Sequence, residues 1–474
     1  MPMRGALEDT ICAIATPMGE GGIGIVRISG VGALDVAGAI VRLRSKQPLS
    51  AVTSHSLHLA DLFLPSLNER RNPSESPVPA KPVDEGLIVY MKAPRSFTGE
   101  DVVEIHSHGG ALLLSLICEA CVKAGARFAE PGEFSKRAFL NGRLDLSQAE
   151  AVLDTIRARS SAALTAAHRQ FRGELAKEVS EARSSLLTVL AHVEAGIDFA
   201  EEDIVFLRQD ELREAIERAS EAIRRLESSY KQGRLLREGA RVVIIGRPNV
   251  GKSSLLNRLL KEERAIVTPI PGTTRDVIEE AIDIDGIRIH LVDTAGIRPS
   301  EDAVELEGIK RSRREQEDAD LQLIVLDGNQ PLGAEDGDLL ASAGEIRHIV
   351  VVNKSDLPGI RWEEELVAGR FLIRVSAKTG AGIEELRCAI RGRLIGGGPD
   401  TSEAAIVTNV RHRDALARAA RSLDQALEGI EQHVAAELVC VDVRGAADAL
   451  GEITGTITTE DILERIFTQF CIGK

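Results

Sequence analysis

The apolar positions of this chain change period as it proceeds. Residues 23–29 and 85–91 are short runs rich in β-branched residues and bounded by glycine or proline, which predicts strands. Between them, residues 65–82 are dense in Pro, Ser and Asn and read as a surface loop. Residues 111–125 repeat their apolar positions at three and four and close on Gly125, a helix with its stop signal. The texture then becomes helical, with Ala, Leu, Glu, Arg and Gln in amphipathic stretches at 149–159, 162–193 and 210–231, and again at 411–433 and 442–467. Strand-like runs lie between these two helical blocks, at 241–245, 279–284, 288–292, 321–326, 346–352 and 371–375. Asp285-Gly286 joins the second and third as a hairpin, and helices separate the others, so a mostly parallel sheet with one antiparallel edge is expected. The fold class is multidomain α/β plus α. An α+β domain covers residues 1–140, and a helical domain covers 141–238 and 397–474, interrupted by an inserted α/β domain at 239–396. Insertions survive at exposed sites where the guest's ends lie close together.

A length of 474 residues is too much for a single hydrophobic core, in keeping with that division. No run of eighteen apolar residues could span a bilayer and residues 1–15 lack a secretory pattern, so a cytoplasmic, membrane-free protein is the default expectation. The six scattered cysteines argue for free thiols. Cys118 and Cys121 share one amphipathic helix and read as packing residues; with His106 and His108 a metal site is the alternative. A net charge of −15 opposes passive binding to nucleic acid, so action on RNA requires a local basic patch or a partner.

Five motifs carry chemistry. Gly246-Arg-Pro-Asn249-Val250-Gly251-Lys252-Ser253 follows a buried strand and opens a helix, the context of a P-loop. Its backbone N–H groups would wrap phosphates, Lys252 would reach the β- and γ-phosphates, and Ser253 would ligate magnesium. Thr274, in Gly272-Thr273-Thr274-Arg-Asp276, is the expected second magnesium ligand. Asp293-Thr294-Ala295-Gly296 ends a strand; its aspartate can hold magnesium through water and the Gly296 N–H can sense the γ-phosphate. Asn353-Lys354-Ser355-Asp356 selects the base, because a carboxylate accepts from guanine N1–H and its exocyclic amine, a donor pair adenine lacks. Ser376-Ala377-Lys378 would place a backbone N–H on guanine O6. Ser254 and Thr268 complete the expected nucleotide contacts.

Ile297 follows Gly296, where many GTPases place a water-orienting glutamine, so another group must position the nucleophile. Asn249 could help ligate a monovalent cation against the phosphates. Glu305 is either a water-orienting carboxylate or the solvated start of a helix.

Beyond the nucleotide motifs, the signals run from end to end: Gly24-Ile-Val-Arg-Ile-Ser-Gly30, Ser96-Phe-Thr-Gly-Glu-Asp101, His108-Gly-Gly110, Pro131-Gly-Glu-Phe134, Arg137-Ala-Phe-Leu-Asn141 and the terminal Phe470-Cys-Ile-Gly-Lys474. This combined pattern resembles the MnmE (TrmE) family of tRNA modification GTPases. The resemblance implies a homodimer formed through N-terminal domains that also bind tetrahydrofolate (as a 5-formyl or 5,10-methylene derivative), and a Ras-like G domain whose hydrolysis of GTP needs magnesium and potassium. It implies a flavoprotein partner, MnmG (GidA), with which a (carboxymethyl)aminomethyl group is added at C5 of the wobble uridine of certain tRNAs, much of the tRNA contact lying with the partner. By the same resemblance Asn249, Thr268, Ile270 and Thr273 match the potassium positions and Glu305 the water-orienting glutamate. Arg27, Glu104, Arg143 and Lys474 match the folate pocket, with Arg143 in place of a more common lysine. Cys471 has either a positional role, as a packing thiol, or a part in one-carbon chemistry. The rival reading is a ribosome-assembly or RNA-binding switch GTPase without modification chemistry, which would call for an appended basic domain in place of the helical tail.

Overall fold

The computed structural model describes residues 9–64, 81–198, 209–262, 280–293, 319–342, 347–358, 371–395 and 405–474. The chain forms two compact units. The first comprises Met1–Leu153, Val179–Leu190 and Val443–Lys474; the second comprises Asp154–Glu178 and Ala191–Asp442.

The first unit is built on a seven-stranded sheet: β1 Ile11–Ile14, β2 Gly21–Ser29, β3 Val41–Leu43, β4 Leu57–Leu62, β5 Asp84–Met91, β6 Val102–Gly109 and β7 Arg127–Phe128, in the order β3-β4-β5-β6-β2-β1-β7. Every pairing is antiparallel except β1 with β7. Alternation along the strands sends Val26, Ile28, Ile88 and Ile105 into a core shared with α1 Ala33–Ile40 and α2 Ala111–Lys123. Cys118 and Cys121 are buried in that same core, as packing residues. The same alternation puts His106 and His108 on the face opposite Ile105, where they pair with Glu104 at 3.3 Å and Asp84 at 2.7 Å, so the metal alternative that joined them to the two cysteines fails. Helices α3 Glu133–Leu140, α4 Leu146–Arg157 and the C-terminal helix at 460–467 share a second core of Leu146, Leu153, Leu463, Phe467 and Phe470.

The expected helical stretch 162–193 is two helices, α5 Ser161–Phe171 in the second unit and α6 Glu174–Asp198, of which Val179–Leu190 belongs to the first; they are parted at Gly173, whose φ of +82° ends α5. The stretch at 442–467, which from Val443 belongs to the first unit, divides in the same way at Gly455, φ +81°, between helices ending at Thr454 and starting at Glu460. α7 Gln209–Glu238 packs along a later helix, Val410–Glu431, whose buried Leu416, Ala419, Leu423, Ala426 and Ile430 recur at three and four.

Inserted between them is a six-stranded sheet: β8 Ala240–Ile245, β9 Glu280–Ile284, β10 Ile287–Asp293, β11 Leu321–Asp327, β12 His348–Asn353 and β13 Leu372–Arg374, in the order β13-β12-β11-β8-β10-β9. All pairings are parallel except β9 with β10, which meet at Asp285 (φ +50°) and Gly286 (φ +85°), a left-handed two-residue turn. α8 Lys252–Glu262, α9 Ala334–Ser342 and α10 Ile383–Ile395 accompany the sheet, and β11 is buried along its whole length. The remaining helices are α11 Val410–Glu431, α12 Ala436–Thr454 and α13 Glu460–Phe467. No helix among the described residues is long and apolar enough to cross a membrane.

Candidate functional site

The carboxyl ends of β8, β11 and β12 converge, the position at which open α/β sheets bind ligands. β8 delivers the loop from Gly246 to Gly251, and α8 begins at Lys252. Two glycines there are steric necessities. A Cβ on Gly246 (φ +153°) would stand 2.3 Å from the Val325 carbonyl oxygen, and one on Gly251 (φ +95°) 2.3 Å from Asn353 Nδ2. Asn249 adopts φ +63°, an uncommon conformation for a residue with a Cβ. The Lys252 ammonium donates to the carbonyls of Gly246 (2.7 Å) and Arg247 (2.8 Å), while Ser253 and Ser254 are exposed on the first turn of α8. Arg247 is held by a two-pronged pair with the fully buried Asp336 of α9, at 2.8 and 2.7 Å.

The base-reading loops are tied to this cradle. Asn353 Nδ2 donates to the Val250 carbonyl at 2.9 Å, and its Oδ1 accepts the Ala377 N–H at 3.0 Å. Lys354 Nζ donates to the Asn249 carbonyl at 2.9 Å and to Asp327 Oδ2 at 2.6 Å. The Ser376 hydroxyl donates to Asp356 at 2.7 Å and accepts from the Thr379 N–H at 3.1 Å. That hydroxyl holds the Asp356 carboxyl below the usual aspartate range, so it stands ionised as an acceptor. Lys378 joins the same loop, its carbonyl accepting from Arg258 at 3.4 Å. The structure thus brings together Asn249, Val250, Gly251, Lys252, Asn353, Lys354, Asp356, Ser376, Ala377 and Lys378. Asp293 closes β10 opposite Ile244. Thr268, Ile270, Thr273, Thr274, Thr294, Ala295, Gly296 and Glu305 lie outside the described residues.

A second constellation occupies the first unit. Arg27 on β2 faces Glu104 on β6 in register, with Nε 2.9 Å and Nη2 2.8 Å from Glu104 Oε1. Its Nη1 donates to the Gly473 carbonyl at 3.3 Å, and its guanidinium lies 5.7 and 5.6 Å from the ring centroids of Phe97 and Phe134. Burial, and after it the charge of Arg27, lowers the Lys474 ammonium below the usual lysine range, against the pull of Glu104. Arg143 is exposed and donates to the Ser96 carbonyl at 3.1 Å, one residue before Phe97. Cys471 is exposed and not packed into the core, because the chain leaves the apolar cluster at Phe470; the packing-thiol reading is corrected.

Comparison with known proteins matches residues 10–143 to the profile of the GTP-binding protein TrmE N-terminus and residues 146–471 to that of the MnmE helical domain. Proteins named tRNA modification GTPase MnmE match almost end to end. The one from Heliobacterium modesticaldum is 48% identical over 98% of this chain and 99% of its own length. Those from Clostridioides difficile and Aquifex aeolicus are 44% and 45% identical, each over 99% of this chain and 100% of the relative. The chain belongs to the MnmE family of tRNA modification GTPases.

Within this MnmE-family chain, motif reading overlooked Asp327, the Asp336 tether of Arg247, and the aromatic pair Phe97 and Phe134 beneath Arg27. Only Asp327 carried a signal. It is an acid at the carboxyl end of a fully buried strand, where the fold places its ligand contacts.

Proposed function

We propose that this GTPase, as a homodimer and together with the flavoprotein MnmG, adds a (carboxymethyl)aminomethyl group at C5 of the wobble uridine of certain tRNAs, with a tetrahydrofolate derivative as one-carbon donor and with GTP hydrolysis dependent on potassium. The observation that carries the nucleotide part is the knitting of Asn353, Lys354 and Ala377 onto the 249–250 segment of the phosphate loop.

Lys252 and the N–H groups opening α8 meet the β- and γ-phosphates, and the Asp356 carboxylate accepts the paired donors of guanine. The donor sets suit the ions of the family: the Ser253 hydroxyl, with Thr274, would hold magnesium, and the Asn249 amide, with Thr268, Ile270 and Thr273, would hold potassium. When bound, these cations supply positive charge against the transferring phosphoryl group, an effect worth ~10³–10⁵ in rate when an arginine finger supplies it. Glu305 orients the attacking water, the work that Ile297 cannot do. In the first unit, Arg27 and Lys474 suit the carboxylates of a folate tail, Glu104 suits pterin N–H donors, and Arg143, bonded to the Ser96 carbonyl beside Phe97, would add a further cation for that tail. Cys471, exposed beside Lys474, would act on the one-carbon unit or position it.

The homodimer has support in the sheet face that α1 and α2 leave uncovered. Leu59 and Leu87 are cross-strand partners there, exposed at 43% and 38%. Two measurements test the proposal. Hydrolysis should be many-fold faster in potassium than in sodium, and equal rates would defeat the cation assignment. Mass spectrometry of tRNA nucleosides from cells lacking the protein should show loss of the modified wobble uridine, and an unchanged profile would overturn the modification chemistry.

A further inference from the structure

We infer that Asp327 is a positioning residue that ties the guanine-reading loop to the phosphate loop through the ammonium of Lys354. Asp327 is the last residue of β11, paired in register with Asn353 of β12 and 3% exposed. Its two carboxylate oxygens divide their work. Oδ1 accepts the Asn329 N–H at 2.9 Å and caps the turn that follows, whereas Oδ2 accepts Lys354 Nζ at 2.6 Å. The same ammonium donates to the Asn249 carbonyl at 2.9 Å. A carboxylate this deeply buried needs a charged partner, and among the described residues Lys354 is the one at hydrogen-bond distance.

The consequence lies in the conformation of the two residues it joins. Lys354 and Asn249 both hold left-handed backbone, φ +66° and +63°, which side chains with a Cβ rarely adopt. Such conformations persist where the surroundings over-determine them. A lysine ammonium on a flexible four-carbon stem does not by itself fix a carbonyl. Anchored on a buried carboxylate, it becomes a strut that sets the direction of the 249–250 peptide. Asn353 supplies a parallel strut one residue on, through its 2.9 Å bond to the Val250 carbonyl, and its own carbonyl accepts the Gly328 N–H at 2.8 Å, next to Asp327. The orientation of the N–H donors that face the phosphates is thereby set from the base side of the site. The position of the Asn249 amide follows from the same strut; this last step rests on the potassium reading above.

The test is GDP affinity of the full chain in sodium buffer for wild type, Asp327→Asn, Lys354→Gln and the double variant. Asp327→Asn keeps an oxygen to cap the Asn329 turn and removes only the charge that holds Lys354. Loss of one charge-assisted hydrogen bond predicts a rise in Kd of about 10- to 100-fold. The double variant should be no weaker than Lys354→Gln alone. An Asp327→Asn protein that binds GDP within about twofold of wild type, or losses that simply add in the double variant, would reduce Asp327 to a turn cap and overturn the proposal. Asp327→Ser, which also keeps a capping oxygen, serves if the asparagine variant does not fold. In steady state the substitution should raise KM for GTP more than it lowers kcat, and it should raise several-fold the potassium needed for half the maximal rate. Wild-type rates in the two salts, taken alongside, judge the potassium reading separately. If they are equal, that reading fails and GDP affinity alone decides the role of Asp327.

Discussion

In the proposed guanine reading, the choice of purine falls to one carboxylate, that of Asp356, which accepts from the Ser376 hydroxyl at 2.7 Å. The Ser376 hydroxyl holds the Asp356 carboxyl below the usual aspartate range, and an ionised carboxylate can only accept hydrogen bonds. Asp356→Asn exchanges one acceptor for a donor, which mismatches guanine but matches a base carrying a carbonyl at that position. The variant should lose about 10²-fold or more in GDP affinity and gain for xanthosine diphosphate, and competition binding reads both. Elsewhere, charge serves stability. Arg137 is fully buried and bonds Asp9 Oδ1 at 2.7 Å, Glu133 at 3.0 Å and Glu100 at 3.2 Å. Burial pushes the Glu133 carboxyl up, but its bonds from Arg127 and Arg137 outweigh this and leave it below the usual glutamate range. Because the folded value is depressed, the stabilisation is complete above the unfolded carboxylate's range and is lost as pH falls through the folded value. Glu133→Gln should therefore cost about 3 kcal/mol near neutral pH, with the gap to wild type closing in acid, as melting curves across pH would record.

At the scale of elements, the strands of the inserted sheet and its hairpin were legible because buried parallel strands are continuous β-branched runs and Asp285-Gly286 has one favoured turn, whereas of the first unit's antiparallel sheet only β2 and β5 were. Helix ends inside long Ala-rich stretches were not. Gly173 and Gly455 break them through left-handed φ, and a single glycine in such a run reads equally as tolerated or terminal. The exposure of Cys471 was hidden because it depends on where the chain leaves a core. The role of Asp327 was hidden because it depends on a sheet register and on the reach of a lysine 27 positions later. Gly233, inside α7, shows the opposite case, in which glycine is retained against helix propensity. A Cβ there would stand 2.1 Å from the Val407 carbonyl. Gly233→Ala gains about 1 kcal/mol of intrinsic helix preference, yet should destabilise the chain by about 2 kcal/mol or more in denaturant titration, because backbone and not a side chain must yield.

At the scale of the whole molecule, each compact unit holds one constellation, Arg27, Glu104 and Lys474 in the first and the nucleotide loops in the second. The dimer reading belongs to this scale. Leu59→Glu with Leu87→Glu places charge on the uncovered sheet face without touching either core, and sedimentation should show dimer shifting to monomer while GDP binding is kept. Everything proposed for this GTPase depends on the second unit reading guanine. Calorimetric titration of the purified chain with GDP and with ADP tests this directly. GDP should bind and ADP should bind about 10³-fold more weakly or not at all; equal affinity for the two, or binding of neither, would contradict it.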